Sequence, residues 1–246
     1  MQRLARNASQ SRFPRLWAGL IGAWNPDIAR GSGSLPDLSL TTPANGTATN
    51  FSGSPFTTTA RGVAGKYVSA NGTYFNLGNP TKLALLSPYS ISIWQQSNSF
   101  ASYRNLIFKG DGFGAEFGII INASAQWQAQ INTGGAFGDT LIAGKWHHLV
   151  VTYDGATILS YRDGLLRTTY GSIANTPRGS AVTLGADSIN SRYFDGQIGE
   201  TLFYNRVLKP VEIAALSAGQ SPFIRRRTYL EGKSGGGTHH RLMVIG

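Results

Sequence analysis

The chain contains no cysteine, and charged residues are scarce, at 14% of its 246 residues. Without cysteine no disulfide framework can form and no thiol chemistry is possible. The apolar patch at residues 16–24 is nine residues long and is broken by two glycines, so no segment is expected to span a membrane. The N-terminus is basic but lacks the apolar core of a signal peptide, and we expect none.

Sequence signals of catalysis are equally scarce. A glycosidase needs two facing carboxylates, and two of them share one face of a strand only at a spacing of two residues. No Glu-x-Asp or Asp-x-Glu occurs. The adjacent His147 and His148 would point to opposite faces of a strand, where they cannot share a metal. The sequence therefore predicts a protein that is not an enzyme, although a carboxylate pair assembled from distant strands stays open.

Strand and turn signals are dense between residues 144 and 216. The segment Trp146 to Tyr153 is rich in aromatic and β-branched residues and apolar on both faces, which predicts a central strand. Asp154-Gly155 and Asp163-Gly164 are typical of hairpin turns. Further strands are expected at residues 158–161, 165–170, 182–185 and 197–204, and a short helix at 209–216. These signals predict an all-β, two-sheet antiparallel β-sandwich with one short C-terminal helix.

This stretch resembles the laminin-G-like, or concanavalin A-like, lectin-glucanase domains. The resemblance is carried by Trp146-His147-His148, by Tyr153-Asp154-Gly155, by Phe194, Gly196, Ile198 and Glu200, and by Tyr204-Asn205-Arg206. The match is looser at residues 20–24, 74–77 and 89–94. It implies a jelly roll over residues 16–220, flanked by a basic arm at 1–15 and a basic tail at 221–246. It says little about activity, because one sandwich fold hosts many functions.

Positive charge is concentrated outside the expected domain. The flanking segments 1–15 and 221–246 each carry a net charge of +4, so they hold eight of the ten net positive charges. Basic segments beside a folded domain usually contact an acidic surface. We expect them to anchor the chain to neighbouring subunits of a homo-oligomeric assembly, with nucleic acid or a mere gain in solubility as alternatives. The anchoring residues would be Arg3, Arg6, Arg12, Arg15, Arg225, Arg226 and Arg227.

The resemblance also implies a calcium ion held by loop carboxylates and carbonyls in many relatives. Calcium prefers six to eight oxygen ligands. Here the frequent Ile-Asp-Glu of the family is replaced by Ile198-Gly199-Glu200, which removes one expected ligand. Calcium therefore stays an open prediction, with Asp27, Asp187 and Asp195 as its candidate ligands.

Sugar binding would require an exposed aromatic ring beside polar loop residues. Tyr193 follows a polar loop at residues 187–192, so we expect a carbohydrate site at Tyr193, Asn190 and Asp187, with Tyr103 as a further platform. Trp127 alternates with two glutamines and is expected in the core. The remaining tryptophans are expected in the core or in an interface; they are Trp17, Trp24, Trp94 and Trp146.

The two basic ends suggest a biological setting. Residues 6–17 and 222–227 resemble the ends of laminin-G-like proteins from phage and environmental viruses. That resemblance implies a virion surface component, such as a decoration or fibre protein, whose sandwich contacts glycans. The main alternative is a lectin-like adhesion module that binds carbohydrate. A glycoside hydrolase and a nucleic-acid binder are less favoured by the residues above.

Overall fold

The computed structural model describes residues 14–28, 34–84, 87–111, 114–171, 173–187 and 192–223. Within these ranges the chain forms sixteen strands, one α-helix and three short 3-10 turns. The elements are β1 (Leu20–Trp24), β2 (Ser34–Leu35), β3 (Gly46–Thr49), β4 (Phe56–Thr59), β5 (Gly62–Tyr67), β6 (Tyr74–Asn76), β7 (Tyr89–Ser97), β8 (Arg104–Asp111), β9 (Gly114–Ile121), β10 (Gln126–Asn132), β11 (Gly134–Thr140), β12 (Trp146–Tyr153), β13 (Ile158–Arg162), β14 (Leu165–Tyr170), β15 (Val182–Leu184), β16 (Gly196–Tyr204) and α1 (Pro210–Ser217).

The strands form two antiparallel sheets. The first sheet has the order β14-β13-β12-β7-β16-β5-β4, and β1 pairs with β16 beside it. The second sheet has the order β11-β10-β9-β8-β15-β6-β3-β2. The predicted all-β sandwich with one short C-terminal helix is confirmed. The central position of β12 is also confirmed, because it lies between β7 and β13.

The core lies between the sheets because alternate side chains of each strand point the same way. From the first sheet, Ile91, Ile93 and Val151 enter it, and from the second sheet Phe117 and Ile119 do. Trp127 is fully buried in this core, as expected. The side chains at intervening positions of β7 and β12 therefore point to the opposite, outward face of the first sheet.

Helix α1 covers part of that outward face. Its Ile213 and Leu216 pack with Val150 and Leu202 of the first sheet in a second apolar cluster. Glu212, in the first turn of α1, accepts a hydrogen bond from the Lys209 backbone N–H at 2.8 Å, which satisfies a donor at the start of the helix. The partial positive charge at the start of a helix also stabilises a negatively charged side chain in its first turn.

The segments next to the two basic ends meet on the same face. Trp17 and Phe223 make an edge-to-face contact with ring centroids 5.2 Å apart. Arg206 donates hydrogen bonds to the carbonyls of Arg15, at 3.1 Å, and Ala18, at 2.6 Å. The residues adjoining the N-terminal and C-terminal basic segments are thus packed together against the sandwich.

Candidate functional site

A cleft lies on the outward face of the first sheet, beyond the area that α1 covers. Trp94 of β7 and Trp146 of β12 point to this face by alternation with the core residues of their strands. We call the site the tryptophan cleft. Its lining includes Asn25, Asp27, Arg61, Trp94, Trp146, Gly199 and Glu200. Residues from the segment after β1, the β4–β5 hairpin, β7, β12 and β16 thus meet at one place.

Trp94 is largely covered by its neighbours. The guanidinium carbon of Arg61 lies 3.3 Å from the centroid of the Trp94 ring, in the geometry of a cation–π contact. The ring of His148 also stacks against Trp94, with centroids 4.8 Å apart. Trp94 is consequently only 7% exposed, whereas Trp146 is half-buried. Trp146 therefore supplies the accessible aromatic surface of the cleft.

His148 is a structural support for the cleft and stays uncharged. Its Nε2 lies 2.8 Å from the hydroxyl of Ser92. The pKa of His148 is lowered to about 3, mainly by burial; the charge of Asp163 opposes this effect, and the charge of Arg61 adds to it. At neutral pH the imidazole is therefore neutral and packs as an aromatic ring beneath the cleft.

Two carboxylates reach the cleft from distant parts of the chain. Oε2 of Glu200 accepts hydrogen bonds from the side chains of Asn25, at 2.8 Å, and Ser221, at 2.6 Å. Oδ1 of Asp27 accepts one from the Val63 backbone N–H, at 3.1 Å. The two acids thus line one cleft although they are far apart in the sequence. Both side chains can accept hydrogen bonds from hydroxyl groups of a ligand.

The enclosed part of the cleft is small, about 10 Å³. This is roughly the space that one water molecule needs. A ligand of the size of a sugar would therefore sit at the mouth of the cleft, against the exposed part of Trp146, and reach inward with individual hydroxyl groups.

The predicted sugar residues lie elsewhere, since none of them lines the tryptophan cleft. Tyr193 is half-buried against Tyr74, with ring centroids 6.3 Å apart. Tyr103 is 45% exposed, with the guanidinium of Arg192 5.4 Å from its ring centroid. Asp187 is buried, and Asn190 lies outside the described residues. Their proposed role in sugar binding stays a prediction.

The predicted calcium ligands are in three different settings. Asp27 lines the tryptophan cleft, Asp187 is buried after β15, and Asp195 accepts hydrogen bonds from Asn98, at 3.2 Å, and Ser99, at 3.1 Å. In the described part of the chain, no three His, Asp or Glu side chains are grouped so that they could hold a metal ion. Calcium binding therefore remains a prediction.

Of the seven predicted anchoring arginines, Arg15 is within the described ranges, and it is exposed. Arg3, Arg6, Arg12, Arg225, Arg226 and Arg227 lie outside them. No helix among the described residues is both long enough and apolar enough to cross a membrane.

Sequence reasoning missed the tryptophan cleft. Trp94 and Trp146 are expected in the core or in an interface. Trp94 is buried, as expected, but it is on the outward face of the first sheet, and Trp146 beside it is only half-buried. When a strand is apolar on both faces, its pattern does not indicate which outward residues a helix covers and which stay accessible. The one available signal was Gly199, a glycine inside a long strand, which often marks a close approach of other groups.

Comparison with known proteins agrees with this architecture. More than half of the chain, residues 69–214, matches a laminin-G family model described as the concanavalin A-like lectin/glucanases superfamily. The chain belongs to this superfamily. The assignment concerns the fold of this superfamily member. A search of curated proteins finds no match.

Several solved structures share the fold of this superfamily member at low identity. Trypanosoma rangeli sialidase is 16% identical, with a TM-score of 0.63 over 82% of this chain and 33% of its own. Domain 4 of the Geobacillus stearothermophilus arabinanase AbnA, in complex with arabinotriose, is 18% identical, with a TM-score of 0.62 over 81% of this chain and 98% of its own. The binding domain of Paraclostridial Mosquitocidal Protein 1 is 13% identical, with a TM-score of 0.66 over 83% and 53% of the two chains. This chain therefore spans about a third of the sialidase that it matches.

Proposed function

We propose that this chain is a non-enzymatic, lectin-like β-sandwich that binds carbohydrate at the tryptophan cleft. The observation that carries the proposal is the meeting of an accessible Trp146 ring with the carboxylates of Asp27 and Glu200. Sugars present an apolar C–H face and a rim of hydroxyl groups, which suit an aromatic ring beside hydrogen-bond acceptors. The arabinotriose complex of the AbnA domain supports this reading of the fold by analogy.

Binding without cleavage is favoured by the state of the two acids. Glycoside hydrolysis needs a sugar ring placed between carboxylates roughly 5–9.5 Å apart. Here one oxygen of Glu200 already accepts hydrogen bonds from Asn25 and Ser221, and the enclosed space beside it holds about one water molecule. The acids are therefore better suited to hold hydroxyl groups than to act on a glycosidic bond.

The test is a glycan array with the full chain, followed by titration calorimetry on the best ligand. Trp146→Ala should weaken binding at least about tenfold, because the stacking surface is lost. Tyr103→Ala and Tyr193→Ala are matched aromatic truncations outside the cleft and should leave affinity within about twofold. Loss of binding in the tyrosine variants, with Trp146→Ala unaffected, would move the site to the originally predicted loop.

Two further arms separate the alternatives. Each array is repeated with a chelator, and loss of binding would support the calcium prediction at Asp27, Asp187 or Asp195. Each bound glycan is also incubated with the protein and analysed for released sugar. Turnover that disappears in Glu200→Gln would replace the binding proposal with a glycoside hydrolase.

A second candidate function concerns the basic ends. We propose that they anchor the chain to neighbouring subunits of an assembly such as a virion surface. The supporting observation is that their adjoining residues are packed together, through the Trp17–Phe223 contact and the hydrogen bond from Arg206 to Arg15. Both basic segments would thus begin at one region of the surface, and their positive charges would act together on an acidic partner.

This second candidate is tested by comparing the full chain with the variant Arg225→Gln/Arg226→Gln/Arg227→Gln. Anchoring between copies predicts an oligomer in light scattering that the variant loses. Binding of duplex DNA with an affinity that falls steeply with salt would instead indicate a nucleic-acid partner. If the full chain and the variant are both monomers and neither binds DNA, anchoring between copies of this chain is contradicted.

A further inference from the structure

We infer that the tryptophan cleft selects uncharged sugars over acidic ones, and that Gly199 keeps its binding space open. This inference rests on the sugar-binding function proposed above. It adds the chemical class of the ligand and a residue that determines access to the site.

The selection follows from the charges that line the cleft. Asp27 and Glu200 contribute two carboxylates, and Arg61 contributes one cation. Carboxylates accept hydrogen bonds from neutral hydroxyl groups but repel the carboxylate of a uronic or sialic acid, and this repulsion grows where water is partly excluded. An uncharged sugar therefore gains hydrogen bonds at the same positions where an acidic one meets like charge.

Arg61 is placed as part of the wall of the cleft. Its guanidinium lies 3.3 Å from the centroid of Trp94, so its face is engaged by the aromatic ring. The hairpin tip that carries it is fixed by Thr59, whose hydroxyl accepts the Arg61 backbone N–H at 3.1 Å and donates to the Gly62 carbonyl at 2.8 Å. This placement makes Arg61 a cover for Trp94 and the one cation against two carboxylates in the lining of the cleft.

The backbone conformation of Gly199 does not require a glycine. Its backbone is not in the left-handed region, so any L-residue could adopt its conformation. A Cβ atom there would lie 3.2 Å from Cβ of Trp94 and 3.6 Å from Cζ3 of Trp146. A side chain at residue 199 would therefore project into the space between the two tryptophans, and glycine leaves that space for a ligand.

The experiment measures binding of matched pairs of glycosides to the full chain by saturation-transfer NMR and calorimetry. The pairs are the methyl glycosides of glucose and glucuronic acid and of galactose and galacturonic acid. We expect the better neutral glycoside to bind at least about tenfold more tightly than its acid, which is about 1.4 kcal/mol. Asp27→Asn should reduce this ratio, and Arg61→Ala should increase it, because the two changes alter the net charge in opposite directions.

Gly199→Ala should reduce binding of the neutral glycoside at least about tenfold. The matched control is Gly171→Ala, at a glycine that is also outside the left-handed region and has no atom within 4 Å of a Cβ. Thermal unfolding of both variants separates a blocked cleft from a damaged fold. Wild-type binding by a folded Gly199→Ala variant would overturn the role of Gly199.

The remaining outcomes distinguish this inference from the function on which it rests. If the acidic glycoside binds as tightly as the neutral one or more tightly, and Arg61→Ala abolishes that binding, the cleft binds acidic sugars through Arg61. The selectivity is then wrong while sugar binding stands. If neither these probes nor any glycan of the array binds the wild-type chain, sugar binding itself is wrong.

Discussion

The carboxylate of Asp163 lies 2.8 Å from Nδ1 of His147 and fixes the tautomer of that imidazole. Nε2 of His147 accepts the Ile142 backbone N–H at 3.3 Å, so the ring proton is on Nδ1 and is donated to Asp163. The other oxygen of Asp163 accepts the His148 backbone N–H at 2.9 Å. Sequence reasoning assigned Asp163 to turn formation alone, but it also ties the β13–β14 hairpin to the start of β12.

Asp163→Asn should lower the free energy of unfolding by about 1–2 kcal/mol. The two oxygens of Asp163 each accept one hydrogen bond, whereas the side-chain amide of Asn has a single oxygen, so one of the two hydrogen bonds is lost. The side chain is 38% exposed, so solvent limits the loss. Asn tolerates the left-handed backbone of residue 163, with φ of 52°, so the turn itself survives. Urea denaturation of the variant measures the change.

Asp154→Asn provides the matched control in the other Asp-Gly turn. There a single oxygen accepts both hydrogen bonds, from the backbone of Ala156 and of Thr157, and an amide oxygen can replace it. We expect a loss below about 0.5 kcal/mol. Equal losses in the two variants would show that the His147 contact contributes nothing.

The buried His148 should make stability depend on pH. Its folded-state pKa of about 3 is lower than the ordinary value near 6.5, so the unfolded chain binds a proton that the folded chain excludes. Stability from this residue is complete above pH 6.5 and is lost as pH falls toward 3. Between pH 7 and pH 5 the loss amounts to about 2 kcal/mol.

Urea denaturation at pH 7 and pH 5 tests this for the wild type and for His148→Gln, which cannot titrate. The variant should be less stable at pH 7 but should lose less stability on acidification. Because carboxylates titrate mostly below pH 5, they contribute little in this window. An identical pH dependence in both proteins would contradict the assignment.

Lys109 and Glu116 form an ion pair within the buried part of the second sheet. The Lys109 ammonium lies 3.0 Å from Glu116, which also accepts the Arg178 backbone N–H at 2.8 Å. Lys109→Met should cost about 3–5 kcal/mol, because it leaves a buried carboxylate without its cation. Lys109→Met/Glu116→Gln should recover part of this loss, as measured by thermal unfolding. The partly exposed Arg167, 3.3 Å from Asp139, is the control, and Arg167→Met should cost less than about 1 kcal/mol.

Gly185 combines backbone and space requirements at the end of β15. Its φ is 87°, and a Cβ would lie 2.2 Å from the ring of the buried Tyr67. Gly53 has a similar φ of 82° but nothing within 4 Å of a Cβ. Gly53→Ala should therefore cost about 1–2 kcal/mol from backbone strain alone, and Gly185→Ala should exceed it by about 1–3 kcal/mol. Equal unfolding midpoints for the two variants would contradict the predicted clash with Tyr67.

Much of the fold could be predicted because its signals are local. The expected strands at 146–153 and 165–170 match β12 and β14 residue for residue, and the expected helix at 209–216 is shifted by one residue from Pro210–Ser217. Side-chain alternation, Asp-Gly turns and a proline in the first helical turn each act within a few residues. The absence of cysteine likewise settled from sequence alone that no disulfide holds the sandwich together.

The candidate site could not be predicted in this way, because its residues meet only through the tertiary structure. Asn25 and Glu200 are 175 positions apart, yet they share a hydrogen bond of 2.8 Å. Whether an outward tryptophan is covered or accessible depends on where α1 and the β4–β5 hairpin lie on the sheet. The sequence determined which side chains point to each face of each strand; the packing of those elements decided that Trp146 and two carboxylates face one cleft, because contacts between distant segments leave no periodic pattern in the chain.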